Sequence, residues 1–284
     1  MDNNALITKP HYPILDGLRG VAAVALAYLA ITNGDVRKRG IFISMGKLKP
    51  LFLTLSVLVI LTVHAQATWS IIVIDPKTKE IGIAGASCTF SVYGIGGIIP
   101  GKGAIVVQAM SNKLARNKGL QMILADASPK EILEAIKNPE FDPEQQQYGI
   151  VCVKNMDAPE TYTGLETTSD KGTVTSDGIS VQGNTLSNKE MLHKILQVAI
   201  KAQKASLPIQ EVLMLALEAG AEYGGDKRCG DRKAASAFLT VAKPGDDVQH
   251  PSINLIVNQK DETTNAVKAL RIEFDRWRNR RKDH

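Results

Sequence analysis

One threonine in this chain stands where processing would give it both a hydroxyl and a free α-amine. Thr68 directly follows residues 65–67, Ala-Gln-Ala, and upstream of these lie Lys47, Lys49 and a thirteen-residue apolar run at 51–63. This order of positive charge, apolar run and small residues is typical of a secretory signal peptide. Cleavage directly before Thr68 would place a nucleophile and a general base on one residue.

Two segments elsewhere concentrate polar residues beside glycine. Residues 180–184 read Ser-Val-Gln-Gly-Asn, and residues 224–232 read GGDKRCGDR, with five charges in nine residues. A rigid scaffold holds reactive groups with polar residues of this kind at the ends of its elements. Solvated loops are the alternative interpretation, because loops are usually polar.

Composition and spacing exclude several classes of function. The net charge is +5, but residues 1–67 carry seven basic and three acidic residues, so the remainder is close to neutral and shows no nucleic-acid footprint. The five histidines are scattered, and neither histidine nor cysteine spacing fits a metal site. Residues 96–103 approach a phosphate-binding loop, but Gly103 replaces the required Ser or Thr, and a strand connection fits better. We therefore expect no metal, no cofactor and no nucleic-acid partner.

The first 67 residues divide into two parts. Residues 45–67 form the predicted signal peptide, since the run at 51–63 is shorter than the roughly 20 residues of a membrane span. Cleavage after Ala67 predicts a secreted or periplasmic protein with no membrane attachment, and an uncleaved anchor is the alternative. Residues 1–44 are interpreted as extraneous or as a start codon assigned too early. Within them, residues 11–23 resemble the opening of integral-membrane acyltransferases, whose many membrane spans the chain lacks.

The three cysteines, Cys88, Cys152 and Cys229, define no disulfide framework because their number is odd. Small buried thiols are the favoured interpretation. One disulfide with one free thiol is the alternative in an exported protein.

Apolar periodicity predicts one layered α+β domain over residues 68–284, because strands, helices, strands and a helix follow in blocks. The first two strands are joined by a short polar turn and predict a hairpin. Ser128, followed by Pro129 and Glu131, predicts the start of a helix. The predicted strands are residues 68–74, 80–86, 104–110, 149–153, 162–164, 234–241 and 252–257, and the predicted helices are 114–125, 129–137, 189–205, 208–222 and 265–281.

Four segments together resemble a bacterial family known as domain of unknown function 1028. They are TWSIIVIDPKTKEIGIAGAS, GAIVVQAMSN, ISVQGNTL and GGDKRCG, and they lie in the family's order between about residues 68 and 257. The resemblance implies the Ntn-hydrolase superfamily, a four-layer αββα sandwich in which the nucleophile begins the first strand. Members without a signal peptide commonly begin Met-Thr-Phe-Ser, so methionine removal exposes the threonine that signal cleavage exposes here.

The resemblance implies hydrolysis of a small-molecule or peptide amide by Thr68 through an acyl-enzyme. We expect the side-chain amide of Asn184 and the backbone amides of the Ser87–Cys88 turn to form an oxyanion hole. Asp226 and Arg228 are expected to orient the amine or to bind substrate charge.

Three further points stay open at this level. Lys102 falls near the position where proteasome-like members of that superfamily hold an active-site lysine, and it is a weaker candidate. A catalytically inactive secreted binding or assembly module on the same fold is the alternative function, because a fold alone establishes no activity. The oligomeric state is also open, a homo-oligomer included.

Overall fold

Two antiparallel sheets and five α-helices form the described part of the chain. The structure, a computed structural model, describes residues 68–259 and 261–280, all within the unit His64–His284. The predicted signal peptide and the segment before it lie outside the described residues. The strands are β1 (Thr68–Ile74), β2 (Ile81–Ser87), β3 (Gly96–Ile99), β4 (Gly103–Ala109), β5 (Gln146–Cys152), β6 (Glu160–Thr163), β7 (Gly172–Ser176), β8 (Ile179–Asn184), β9 (Ser236–Ala242) and β10 (Ile253–Val257). The helices are α1 (Lys113–Leu124), α2 (Pro129–Ile136), α3 (Met191–Lys204), α4 (Ile209–Glu222) and α5 (Ala266–Arg280).

The first strand lies inside the larger sheet. Six strands follow the order β10-β9-β2-β1-β8-β7, and the second sheet has the order β3-β4-β5-β6. All paired neighbours are antiparallel. The predicted hairpin is confirmed as β1 and β2, with the second strand one residue later than expected. The predicted α+β class is confirmed.

Successive residues of the central strands face opposite layers. In β1, Trp69, Ile71 and Val73 pack against helices, whereas Ile72 and Ile74 pack against the second sheet. Thr68 has the same parity as Ile72, so its side chain faces the second sheet. Burial on both faces explains why β1 reads as an almost continuous apolar run.

Three apolar clusters hold the layers together. The outer face of the six-stranded sheet packs against α3, α4 and α5. A second cluster lies between the sheets, and a third joins the four-stranded sheet to α1 and α2. The layers therefore run helices, sheet, sheet, helices. Arg271 of α5 adds ion pairs to Glu211 and Glu218 of α4.

Local signals predicted the helices well. The predicted helix start at Ser128 is a capping box, in which the Ser128 hydroxyl and the Glu131 carboxylate each bind the other's backbone amide.

The interpretation of the glycine-rich stretch as a strand connection was wrong for residues 96–99, which form β3 paired with β4. The strands β7 and β8 were missed, because β8 carries three polar residues that sequence patterns assign to a surface.

Candidate active site

A row of four polar residues crosses one end of the four inner strands of the six-stranded sheet. The cross-strand pairs are Asn184 with Thr68, Thr68 with Ser87, and Ser87 with Ser236. By strand parity all four side chains face the second sheet, and none is more than 2% exposed. The strand pairing therefore collects three of the five predicted site residues in one buried row.

The hydroxyl of Thr68 lies against a second hydroxyl. Thr68 Oγ1 donates to Ser87 Oγ at 3.4 Å, and Ser87 Oγ also accepts from Thr89 Oγ1 at 3.1 Å. Two lone pairs on the Ser87 oxygen permit both contacts. The reactive group predicted at the start of β1 thus has a hydrogen-bonding neighbour at the end of β2.

A chain of buried side chains continues this polar region between the sheets. Gln108 of β4 donates to the Thr68 carbonyl at 3.4 Å and to Gln147 Oε1 of β5 at 2.7 Å. Asn184 Nδ2 donates to the same Gln147 oxygen at 3.3 Å. On the other side, Gln108 Oε1 accepts from Ser70 at 2.6 Å. The whole network comprises Ser70, Gln108, Gln147, Ser180, Gln182 and Asn184, which are all buried.

The loop after α4 meets the row from the end of β2. Asp226 is 1% exposed, and its Oδ2 accepts the backbone N–H of Cys88 at 2.7 Å. Arg228 pairs with the same carboxylate at 2.9 Å. Cys88 and Cys229 form a disulfide, which ties this loop to the residue after Ser87. The favoured interpretation of buried thiols was therefore wrong for two cysteines, and only Cys152 is a buried free thiol.

Several predicted contacts differ from those expected. The Cys88 amide is bonded to Asp226, so it is not an unoccupied oxyanion donor in this structure. Asn184 Nδ2 points to Gln147. The charged segment at 224–232 is not a fully solvated loop, because Asp226 is buried within it. Lys102 lies elsewhere, bonded to the Leu124 carbonyl and paired with Asp126.

Sequence reasoning missed Gln108, Gln147 and Ser236. Ser180, Gln182 and Asn184 alternate with the apolar Ile179 and Val181, and this alternation was the available signal for a strand with one polar face. Gln108 stands alone within an apolar strand, where a single polar residue says little, and Gln147 ends a run of three glutamines before the strand predicted at 149–153. Their common role becomes visible only when the two sheets face each other.

An apolar cavity of about 240 Å³ lies near the end of the row. Its lining includes Phe238, Ile83 and Tyr93. Phe238 is two residues from Ser236 on the same face of β9. The space between the sheets is therefore polar around Thr68 and apolar beyond Ser236.

The described residues contain no cluster of three or more His, Cys, Asp or Glu side chains able to hold a metal ion. Across 68–259 and 261–280, no helix combines the length and apolar character that crossing a bilayer requires.

Comparison with known proteins places the fold but no reaction. The model of a family of unknown function, DUF1028, matches residues 68–270. A crystallised protein of that family from Silicibacter pomeroyi is 21% identical, with a TM-score of 0.63 over 74% of this chain and 85% of that one. At this identity the likeness shows the fold alone. No curated protein matches the chain.

Proposed function

The chain belongs to the family of unknown function DUF1028, and on that premise we propose that it is a secreted N-terminal-nucleophile amidohydrolase acting through Thr68. The observation that carries the proposal is the position of Thr68. It is the first residue of an interior strand, it follows the predicted cleavage site, and its hydroxyl lies in a buried polar row. The layer order of helices, sheet, sheet and helices supports assignment to the Ntn-hydrolase superfamily as part of the same proposal.

The proposed reaction begins only after cleavage between Ala67 and Thr68. A free α-amine titrates near pH ~8, so a useful fraction is neutral at physiological pH. The amine takes the proton of Thr68 Oγ1 while this oxygen attacks the amide carbonyl carbon, and the proton then passes to the departing amine. Water hydrolyses the resulting ester, with the α-amine again acting as the base. General-base help of this kind contributes about 10²–10⁴-fold.

The proposed roles of the other residues follow from their positions in the row or beside it. The Asp226–Arg228 pair fixes the loop beside Cys88 and presents a guanidinium near the end of β2. Ser236 lies two strands from Thr68, about 10 Å away at the usual strand spacing, so it contacts a part of the substrate remote from the scissile bond. The adjacent apolar cavity favours a small-molecule or peptide amide with an apolar group on that side.

The alternative is a catalytically inactive secreted module in which the polar row only joins the two sheets. The two proposals differ in what they require of Thr68. An enzyme needs its hydroxyl and its free amine, whereas a binding or assembly module needs neither.

The first test is to export the full chain from a bacterial host and to sequence the N-terminus of the product. We expect it to begin at Thr68. A product beginning at Gln66, Trp69 or Ser70 would remove both the cleavage site and the nucleophile.

The second test treats the exported protein with an electrophilic β-lactone, which esterifies an activated hydroxyl, and maps the added mass by peptide mass spectrometry. We expect labelling at Thr68, none in Thr68→Ala, partial labelling in Thr68→Ser, and none in chain that retains residues 1–67. Thr175→Ala is the matched control, because Thr175 is exposed on β7 and lies outside both the row and the apolar cavity. Equal labelling of wild type and a folded Thr68→Ala protein would favour the inactive module.

A further inference from the structure

The orientation of the Asn184 side chain is fixed by main-chain carbonyls. Gln147 Nε2 donates to the carbonyls of Gly172 and Gly183, both at 3.1 Å. A carbonyl can only accept, so the atom facing these two groups must be the Gln147 nitrogen. Gln147 Oε1 is then the acceptor that receives Asn184 Nδ2. Asn184 Oδ1 therefore points away from Gln147.

This oxygen lacks a donor. Asn184 is 1% exposed, and within the part of the chain that the structure describes its Oδ1 has no hydrogen-bond partner. A buried acceptor left without a donor is unfavourable, and native structures rarely keep one without a purpose. The network of side-chain amides thus ends at Asn184 Oδ1, an acceptor that can still bind an N–H or O–H group.

The strand register places the backbone carbonyl of Asn184 opposite the backbone nitrogen of Thr68. The Ile74 N–H donates to the Gly178 carbonyl, and hydrogen-bonded pairs recur at every second residue of an antiparallel ladder. Following the register, Thr68 and Asn184 are such a pair, and the Thr68 nitrogen faces the Asn184 carbonyl. Both side chains rise from the same face with Cβ atoms about 5.5 Å apart.

We propose that Asn184 Oδ1 accepts a hydrogen bond from the α-amine of Thr68 once the chain has been cleaved, so that Asn184 is a positioning residue for the base. The inference rests on the proposed function, because it requires the amine that cleavage creates. The peptide nitrogen before cleavage carries one hydrogen, which is directed at the Asn184 carbonyl. The freed amine carries two or three, and the additional hydrogen satisfies the side-chain oxygen.

Cleavage in this view completes a hydrogen-bond network as well as exposing a base. Gln147 holds the Asn184 amide, and Asn184 holds the amine in place next to the Thr68 hydroxyl. The expected oxyanion role of the Asn184 side chain is replaced by an acceptor role. An amine held by two oxygens of one residue is restrained in rotation, which favours proton transfer from its own side chain.

The charged groups around the amine are few among the described residues. Asp226 and Arg228 neutralise each other beside the end of β2. Lys171, at the start of β7, is turned to the carbonyls of Gly164, Leu165 and Thr167. The facing residues of β2, β4 and β5 are the neutral Ser87, Gln108 and Gln147. A charge introduced at Asn184 therefore acts on the amine with little local competition.

The experiment measures the pKa of the α-amine by pH-dependent competitive acylation of the exported protein with an acid anhydride, read by mass spectrometry of the N-terminal peptide. We expect Asn184→Asp to raise this pKa by one unit or more, because a carboxylate stabilises the ammonium form. Asn184→Leu should lower it by about one unit, because burial without an acceptor penalises the charged form. The control is Asn254→Asp on the exposed side of β10, which makes the same charge change and should move the pKa by less than about 0.2.

Each outcome decides the inference. A folded Asn184→Asp and a folded Asn184→Leu that both leave the pKa within about 0.3 of wild type would overturn it. Should neither variant fold, a crystal structure of the processed wild-type protein decides. A distance from Thr68 N to Asn184 Oδ1 near 3 Å supports the contact, and one beyond about 4 Å overturns it.

Failure of the proposed function is recognised separately. A shifted pKa without β-lactone labelling of Thr68 would keep the positioning contact and remove the enzyme. Labelling of Thr68 with an unmoved pKa would keep the enzyme and remove the contact. A processed protein that does not begin at Thr68 removes both.

Discussion

The disulfide between Cys88 and Cys229 should contribute strongly to stability, because it closes a very long stretch of chain. The two cysteines are 141 residues apart, and the loop-closure entropy removed from the unfolded state corresponds to about 5 kcal/mol in the chain-entropy model. Measured losses are often smaller, so we expect the double variant Cys88→Ser/Cys229→Ser to lose about 2–5 kcal/mol of unfolding free energy. Both side chains are only half-buried, so serine itself adds little cost.

The assay is urea unfolding of the exported protein at pH 7, with and without a dithiol reductant. Reduced wild type should unfold at the same urea concentration as the double variant, because reduction and substitution remove the same cross-link. Cys152→Ala is the control, since it removes the buried free thiol, and its unfolding midpoint should not depend on the reductant. The reasoning would be refuted if the double variant lost less than about 1 kcal/mol of unfolding free energy. It would also be refuted if the reductant destabilised the double variant as much as it destabilises wild type.

Two other predictions concern close packing and the free thiol. Gly149→Ala should destabilise the protein by about 1–3 kcal/mol in urea unfolding, because its Cβ would lie 2.4 Å from Gln182 Oε1 within the buried network. Gly245→Ala, where no atom lies within 4 Å of the new Cβ, should be near neutral, and equal effects would contradict the inter-sheet packing. Burial raises the pKa of Cys152 to about 11, so at pH 9 only about 1% is thiolate. Iodoacetamide should then alkylate it rapidly only after unfolding, and rapid alkylation of the folded protein would place this thiol at the surface.

Interactions between near neighbours in the chain were readable from the sequence. The hairpin of β1 and β2 followed from two apolar runs and a short polar turn, with an error of one residue. The capping box at Ser128 and Glu131 was predicted because both of its hydrogen bonds join residues three apart. Such features depend on local backbone preference and apolar periodicity, so they can be predicted from residues that are close together in the sequence.

Features that depend on which strands become neighbours were not readable in this way. The sequence singled out Thr68, Ser87, Asn184, Asp226 and Arg228 by type and by resemblance, but it did not predict their arrangement. Ser236 became a member of the row only through the pairing of β9 with β2. The pairing of Cys88 with Cys229 was likewise one alternative among others until the loop after α4 met the end of β2.

Local patterns in the sequence predicted the fold class, the position of Thr68 at the start of a strand, and most boundaries of the helices and strands. Only the tertiary structure shows that Gln108 and Gln147 face Thr68, and which atom of each side-chain amide donates or accepts a hydrogen bond. It also shows that Asn184 Oδ1 has no donor among the described residues. A polar residue within an apolar strand is costly alone and stable only when a partner from another element satisfies it. That partner comes from a distant part of the chain, so only the assembled sheets identify it.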